Sequence, residues 1–535
     1  MITRQKSAIL ASQIIDAPPA LPDVLNEIVP VDENISVFAD DSEMMEFYLT
    51  CVHIMEEFID AHPKDVAEPD FEEIFNEGVE ELAKYAFAHH DGFVDNAAEE
   101  EIDDIIEFAK SDFYSRYIPP RSFENTFADL PNRRDCAKKH AQKIREQLTY
   151  LYNQPQHEQR TPAWYEFRYN LITASSAHKI FNSQATINQL IYEKCKPLAS
   201  QTQSNMVDDD CSSVDSNKSD NVPDLPNTNP TNPNIKIINI SDAPEPSQKM
   251  INTSSPLHWG NKYEPVSCMI YEHMFGVHVA EFGCIQHHKY PFLGASPDGI
   301  VDTPNNPRHG RMLEIKNIVN RPITGIPKKE YWIQMQLQME VCGLDECDFL
   351  ETKFLEYDDA KSFYADDRDT TRKGVILYFS DSGNAPVYTY KPINIANTRD
   401  AVSEWAETAI HESEHNFVSF IYWKLEILSC VLVMRNCHWF KHCIGDISDA
   451  WDIIKKERTS GCEHRAPKKR TPNALTTPLG AQLGTPTQPS IIHAFNKHLA
   501  QPQYAPVDAL VIPKDEPVTQ TQSTTKIVTI TCPNV

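Results

Sequence analysis

From Glu43 to Lys110 apolar residues recur at helical spacing. Phe47, Val52, Met55, Phe58 and Ile59 share one face, Phe75, Val79, Leu82 and Tyr85 a second, and Ile102, Ile105 and Phe108 a third. The pattern predicts a mainly helical region over 41–155, preceded by a loose segment, 1–40, with no sustained period. Further along, the runs GIV (299–301) and MLEIKN (312–317) flank a PNNPRHG loop and read as a β-hairpin. Alternation in the second run sends Glu314 and Lys316 to one face and Leu313 and Ile315 to the other. Residues 331–343 read as a helix with Gln334, Gln338 and Val341 on one side and Trp332, Met335, Met339 and Cys342 near another. The strongly apolar block from Phe417 to Met434 reads as a packed helix, because polar interruptions separate it from a membrane span.

Composition adds two breaks. Asn, Asp, Ser, Thr and Pro dominate 200–255, which holds too little apolar surface to offset the entropy of ordering, so disorder is expected there. Such a surface insertion is tolerated because closure cost grows slowly with length. After Gly461 the chain becomes tail-like; RAPKKR (465–470) resembles a nuclear-localisation patch, and QPSIIHAF (488–495) partly resembles a clamp-docking box. The expected organisation is therefore a lead-in over 1–40, an acidic helical domain over 41–155, and a core over 156–360 interrupted by 200–255. An α/β to helical extension follows over 361–460, then a low-complexity tail over 461–535.

The chain has 77 acidic and 49 basic residues and a net charge of -28, which excludes a histone-like coat for nucleic acid. A focused basic groove or bound cations would still permit a nucleic-acid substrate. Residues 51–100 hold 15 acidic residues and two lysines, read as a solvated acidic face, with a docking surface or DNA mimicry as the other readings. Arg133, Arg134, Lys138, Lys139, Lys143 and Arg145 reverse the sign in a basic helix near 133–145, a phosphate-contacting surface or a plain solvated face. The 13 cysteines form no disulfide framework and read as reduced thiols. Neither a secretory signal nor a membrane span is expected.

Candidate chemistry gathers around the hairpin. Asp298 sits at the mouth of its first strand, and the return strand would bring Glu314 beside it. Two converging carboxylates repel each other, and a hard divalent cation relieves the repulsion. Lys316 can place an ammonium near the same phosphate, an arrangement suited to phosphodiester hydrolysis. HWGNKYEP (258–265) reads as a helix start carrying Glu264. Residues 161–181 supply Arg168, and a turn where Ser175 and Ser176 open another helix, a reasonable phosphate grip.

Taken together, WYEFR-x6-S, HWG-x3-E, GASPDG, LEIK and Q-x-Q resemble the phage lambda exonuclease and viral recombinase nuclease family, a branch of the PD-(D/E)xK superfamily, over roughly residues 160–360. The resemblance implies an α/β fold: a restriction-endonuclease-like core with a mixed central sheet flanked by helices, and additional mainly helical N- and C-terminal parts. It implies that Asp298 and Glu314, with Glu264 and the Ile315 carbonyl, hold Mg2+, or Mn2+ in its place. Lys316 and Gln334 would then act on the attacking water, and Arg168 and Ser175 on a phosphate. The implied substrate is double-stranded DNA, attacked from its ends in recombination, replication or repair. The implied partners are a single-strand annealing protein and further copies of the chain, with no membrane, in the nucleus or cytoplasm of a cell infected by a DNA virus. Two other readings stand beside this one, a structure-specific endonuclease and a non-catalytic acidic scaffold or DNA mimic.

Overall fold

A computed structural model of the chain describes residues 36–91, 96–123, 137–157, 161–198 and 255–467. Most of the lead-in, Arg133 and Arg134, nearly all of the 200–255 insertion and the clamp-box segment lie outside these residues.

Three long helices open the described chain: α1 (Asp41–Ala61), α2 (Phe71–Asp91) and α3 (Asn96–Arg116). Asp40 starts α1 by accepting hydrogen bonds from the Ser42 and Glu43 amides. Phe47, Met55, Phe58, Phe75, Val79, Ile106 and Phe113 are buried among them. Tyr85, expected on the apolar face of α2, is exposed instead. The buried stripe there continues through Ala83 and Phe87, each four residues on from the last, so Tyr85 falls outside it.

These helices do not form a core of their own. One hydrophobic cluster runs from Phe38 and Phe75 through Trp332 and Phe349 to Trp439 and Ile454. The Trp332 indole N–H donates to the Arg121 carbonyl at 2.9 Å, the Phe123 amide donates to Leu432 at 2.8 Å, and Lys329 pairs with Glu68. The acidic helical region and the α/β region thus share one packed interior.

The basic helix is α4 (Ala137–Tyr152), followed by α5 (Pro162–Tyr169), β1 (Ile172–Thr173), the short α6 (Ala174–Ala177) and α7 (Gln184–Cys195). Thr161 caps α5, with Pro162 in the first turn, and Ser255 caps α8 (Pro256–Phe275) by accepting from the His258 amide at 3.1 Å. Strands β2 (Val279–Ala280), β3 (Ile285–Gln286), β4 (Leu293–Ala295), β5 (Gly299–Val301) and β6 (Met312–Asn317) precede α9 (Lys329–Cys342) and β7 (Glu346–Glu356). Then come α10 (Ala360–Ala365), β8 (Lys373–Ser380), β9 (Pro386–Tyr390), α11 (Arg399–Glu412), β10 (Asn416–Met434) and α12 (Cys437–Ser460).

The seven-stranded sheet runs β2-β5-β6-β7-β10-β8-β9, and a small sheet runs β1-β4-β3. In the large sheet only β6 and β7 are parallel, with α9 as the connection between them. The β5–β6 hairpin is antiparallel, pairing Gly299 with Leu313. Leu313 and Ile315 pack with Tyr271 of α8, whereas Met312 and Phe349 join the cluster that contains α9. Helices therefore cover both faces of the β5–β6–β7 segment, a mixed α/β arrangement of the expected class.

The block from Phe417 to Met434 is a correction. It is not a helix but most of the 19-residue strand β10, paired with β7 on one side and β8 on the other. A strand hemmed in by two neighbours becomes a nearly continuous apolar run, which periodicity alone does not separate from a buried helix. The Phe, Val, Ile, Tyr and Trp content of the block suits a strand. With β8, β9 and β10 in the large sheet, the segment 361–460 widens the core sheet rather than standing outside it. The described cysteines are free thiols, and no described helix is long and apolar enough to cross a membrane.

Candidate active site

A hydrogen bond from the Ile315 amide to Asp298 Oδ2 at 2.7 Å ties the turn before β5 to the strand β6. The turn enters β5 through Gly299, where a Cβ would lie only 2.1 Å from Val279 Cγ1, so a larger residue could not follow the same path. One residue before Ile315, the fully buried Glu314 points to the opposite face. Its Oε1 pairs with the Lys316 ammonium, and its Oε2 accepts from Gln338 Nε2 at 2.8 Å. The same Gln338 amide donates to the Ser296 carbonyl at 3.2 Å. Turn, strand and α9 thus converge on one carboxylate.

Electrostatics follow from this crowding. Burial, then the charges of Glu314 and Glu264, push the Asp298 carboxyl well above its ordinary range. Burial opposes the charge on Lys316, but Glu314 and Asp298 outweigh it and hold the ammonium above its usual value. Lys316 Nζ also lies 5.2 Å from the centre of the Tyr331 ring. Glu264 stands on the exposed side of α8, near enough for its charge to act on Asp298.

Asn317, the residue after Lys316, locks α8 in place. Its Nδ2 donates to the Gly260 carbonyl at 3.0 Å. Its Oδ1 accepts from Ser267 of α8 and Thr352 of β7, each at 2.7 Å. Glu264 lies between Gly260 and Ser267, so this buried polar knot sets where its backbone sits relative to β6.

The phosphate-grip residues arrive by another route. β1 pairs in parallel with β4, placing Thr173 opposite Gly294, four residues before Asp298. Ser175 follows in α6, its hydroxyl 3.3 Å from the Thr173 hydroxyl. The Arg168 guanidinium stacks on Trp164 at 4.2 Å. The Cys284 thiol, pushed up by burial, is eased down by the charge of Arg168, and Cys284 precedes β3, which pairs with β4 just before the Ser296–Asp298 turn, so Arg168 lies on that side of the site.

Gln334 is buried on α9, but the glutamine that touches Glu314 is Gln338, one turn further on. Both sit on one helical stripe, so the spacing signal was present for either. Gln338 and Asn317 are the two contributors whose contacts the motif pattern does not reveal. Among the described residues no three Asp, Glu, His or Cys side chains close into a cation cage by themselves. Two carboxylates, a backbone oxygen and water nevertheless fit Mg2+, which keeps much of its water and commonly takes one or two carboxylates. Repulsion at Asp298 is the load such an ion would relieve.

All of these groups except Asn317's partner Thr352 fall inside one stretch of chain that can be compared with known families. Residues 163–345 match the YqaJ-like viral recombinase domain. The match agrees with the lambda-exonuclease-type resemblance carried by the motifs, and the domain spans Arg168, Ser175, Glu264, Asp298, Glu314, Lys316 and both glutamines. An uncharacterised protein of Acanthamoeba polyphaga mimivirus is 31% identical over 236 residues, which are 37% of this chain and 43% of that protein. The chain therefore matches less than half the length of that relative. Two crystal structures of LHK-Exo, an alkaline exonuclease from Laribacter hongkongensis, one of them in complex with dAMP, are 18% and 19% identical. Each match covers 57% of this chain and 95% of LHK-Exo, with a TM-score of 0.27.

Proposed function

We propose that this protein is a divalent-metal-dependent deoxyribonuclease that degrades double-stranded DNA from its ends, in viral or phage-type recombination, replication or repair. The observation that carries the reading is the convergence of Asp298, Glu314 and Lys316 on the β5–β6 hairpin, with Gln338 closing the site from α9. A non-catalytic scaffold has no need of two carboxylates held together against their repulsion.

Asp298 and Glu314, with the Ile315 carbonyl and Glu264, would hold Mg2+ or Mn2+. Such an ion, when bound, supplies an acidified water and a counter-charge for the phosphate. Lys316, held as an ammonium, donates to the attacked phosphate and offsets the negative charge that builds up as water adds and a P–O bond breaks. Arg168 and Ser175 hold a phosphate, the terminal one where an end is recognised, and buried Gln334 lies one turn from the Glu314 contact. Lys139 and Arg145 of α4 offer exposed positive charge for the duplex, and Lys143 shares its charge with Asp345 at 3.6 Å. The mimivirus relative points to a virus-infected cell as the setting; an annealing protein and further copies of the chain are the partners the family resemblance implies.

The test compares linear duplexes ending in 5'-phosphate or 5'-hydroxyl with a covalently closed circle, in Mg2+ and in chelator. Loss of the linear DNA alone, only with the metal, supports the proposal. Nicking or linearisation of the circle would make the protein an endonuclease, and persistence of every substrate in Mg2+ would refute a nuclease.

A further inference from the structure

Helix α9 carries three buried glutamines, and their partners separate them. Gln336 is satisfied at both ends by backbone: its Nε2 donates to the Met434 carbonyl at 2.9 Å, and its Oε1 accepts from the Asn436 amide at 2.7 Å. It anchors α9 to the end of β10. Gln338 is also fully buried, but its amide faces the candidate site. The –NH2 lies between two acceptors, the Ser296 carbonyl at 3.2 Å and Glu314 Oε2 at 2.8 Å. Turning the amide over would set oxygen against both, so the contacts decide which end is nitrogen. The Gln338 Oε1 is then left buried with no protein donor. Buried amide oxygens rarely stay unmatched, and a small polar molecule is the usual partner.

We infer that Gln338 is the positioning residue of this site: it fixes the Glu314 carboxylate for a divalent cation, and its own oxygen seats a water beside that carboxylate. With Oε2 held by Gln338 and Oε1 turned to Lys316, Glu314 has little freedom to rotate. A ligand frozen before the ion arrives binds it more tightly than one that must first be ordered. The family resemblance points to Gln334 for the glutamine role; the hydrogen bonds point to the residue one turn later. The inference rests on the nuclease reading.

The test is calorimetric titration of the full chain with Mn2+, alongside melting temperature and linear-duplex cleavage, for Gln338→Met and for Gln336→Met. Gln338→Met should weaken Mn2+ binding by about 10- to 100-fold, the range seen when an outer hydrogen bond to a metal ligand is lost. Gln336→Met should lower the melting temperature while leaving Mn2+ affinity at the wild-type value. Gln338→Ala, which leaves room for water, should weaken Mn2+ binding as well. The inference is overturned if the Gln338 variants bind Mn2+ like wild type, if both glutamine sites lose affinity only in step with stability, or if neither Gln338 variant folds, since the role is then structural. A wild-type protein that neither binds Mn2+ nor cuts DNA would instead refute the nuclease reading, and this inference would fall with it.

Discussion

Asp298 Oδ2 accepts the Ile315 amide proton at 2.7 Å, between the two residues, Glu314 and Lys316, that point to the other face of β6. That bond favours the ionised carboxylate, yet burial first, and then the charges of Glu314 and Glu264, outweigh it and hold the Asp298 carboxyl well above its ordinary range. The arrangement is costly for the metal-free protein and useful to a cation.

The cost is measurable as a pH dependence. Asp298 titrates well above the ordinary Asp range in the folded state, so the folded protein holds the proton more tightly than the unfolded chain does. Stability attributable to this group is present below the unfolded value and is lost as pH rises through the raised one. Asp298→Asn keeps an oxygen for the Ile315 amide and removes the charge. In chelator it should melt a few degrees above wild type near neutral pH, with the advantage shrinking as pH falls toward the ordinary Asp range. An equal or lower melting temperature for the variant across that range would contradict the account.

Besides pairing with the buried Glu314, Lys316 contributes a charge to the proposed mechanism. Lys316→Ala should reduce cleavage of linear duplex by about 100-fold or more, as loss of a donor aimed at developing charge does. Duplex binding, followed by fluorescence anisotropy in Ca2+ or chelator, should change only a few-fold. Wild-type cleavage by the purified variant would remove Lys316 from the mechanism.

Much of this site was legible in the chain because its parts are local. The turn and alternation around Asp298, Glu314 and Lys316 are short-range signals, and so is the helix start over 258–265 that carries Glu264. What could not be read depends on how distant pieces dock. Gln334 and Gln338 lie one turn apart on a single stripe, and only the rotation of α9 against β6 decides which reaches Glu314. Asn317 gains meaning from Gly260, Ser267 and Thr352, three residues on two other elements. β10 was obscured for a different reason, since burial between two strands erases the alternation that marks a strand.

Asn317 makes a prediction of its own. Asn317→Leu removes the acceptor shared by Ser267 and Thr352 and the donor to Gly260, leaving two buried hydroxyls with only each other, 2.9 Å apart. Loss of such bonds costs about 1–3 kcal/mol in urea unfolding. Because the same bonds hold the backbone around Glu264, Mn2+ affinity should fall as well. A variant that is less stable but binds Mn2+ normally would show that the knot supports α8 without placing Glu264.

Gly310 connects the basic helix to the core, and its substitution tests that connection. Its φ of +84 favours glycine, and a Cβ there would come within 2.3 Å of Ile144 Cγ2 on α4. Two penalties therefore add in Gly310→Ala, backbone strain and a collision with a buried side chain of α4. The variant should lose about 1–3 kcal/mol in urea unfolding, the usual cost of strained backbone. Relief is possible only if α4 moves away from the loop, so amide exchange should speed up along Ala137–Tyr152 more than in α9. If α4 carries part of the DNA-contacting charge through Lys139 and Arg145, duplex affinity should drop at moderate salt while Mn2+ affinity holds. Unchanged exchange in α4 together with unchanged duplex affinity would show that the helix neither leans on Gly310 nor serves the substrate.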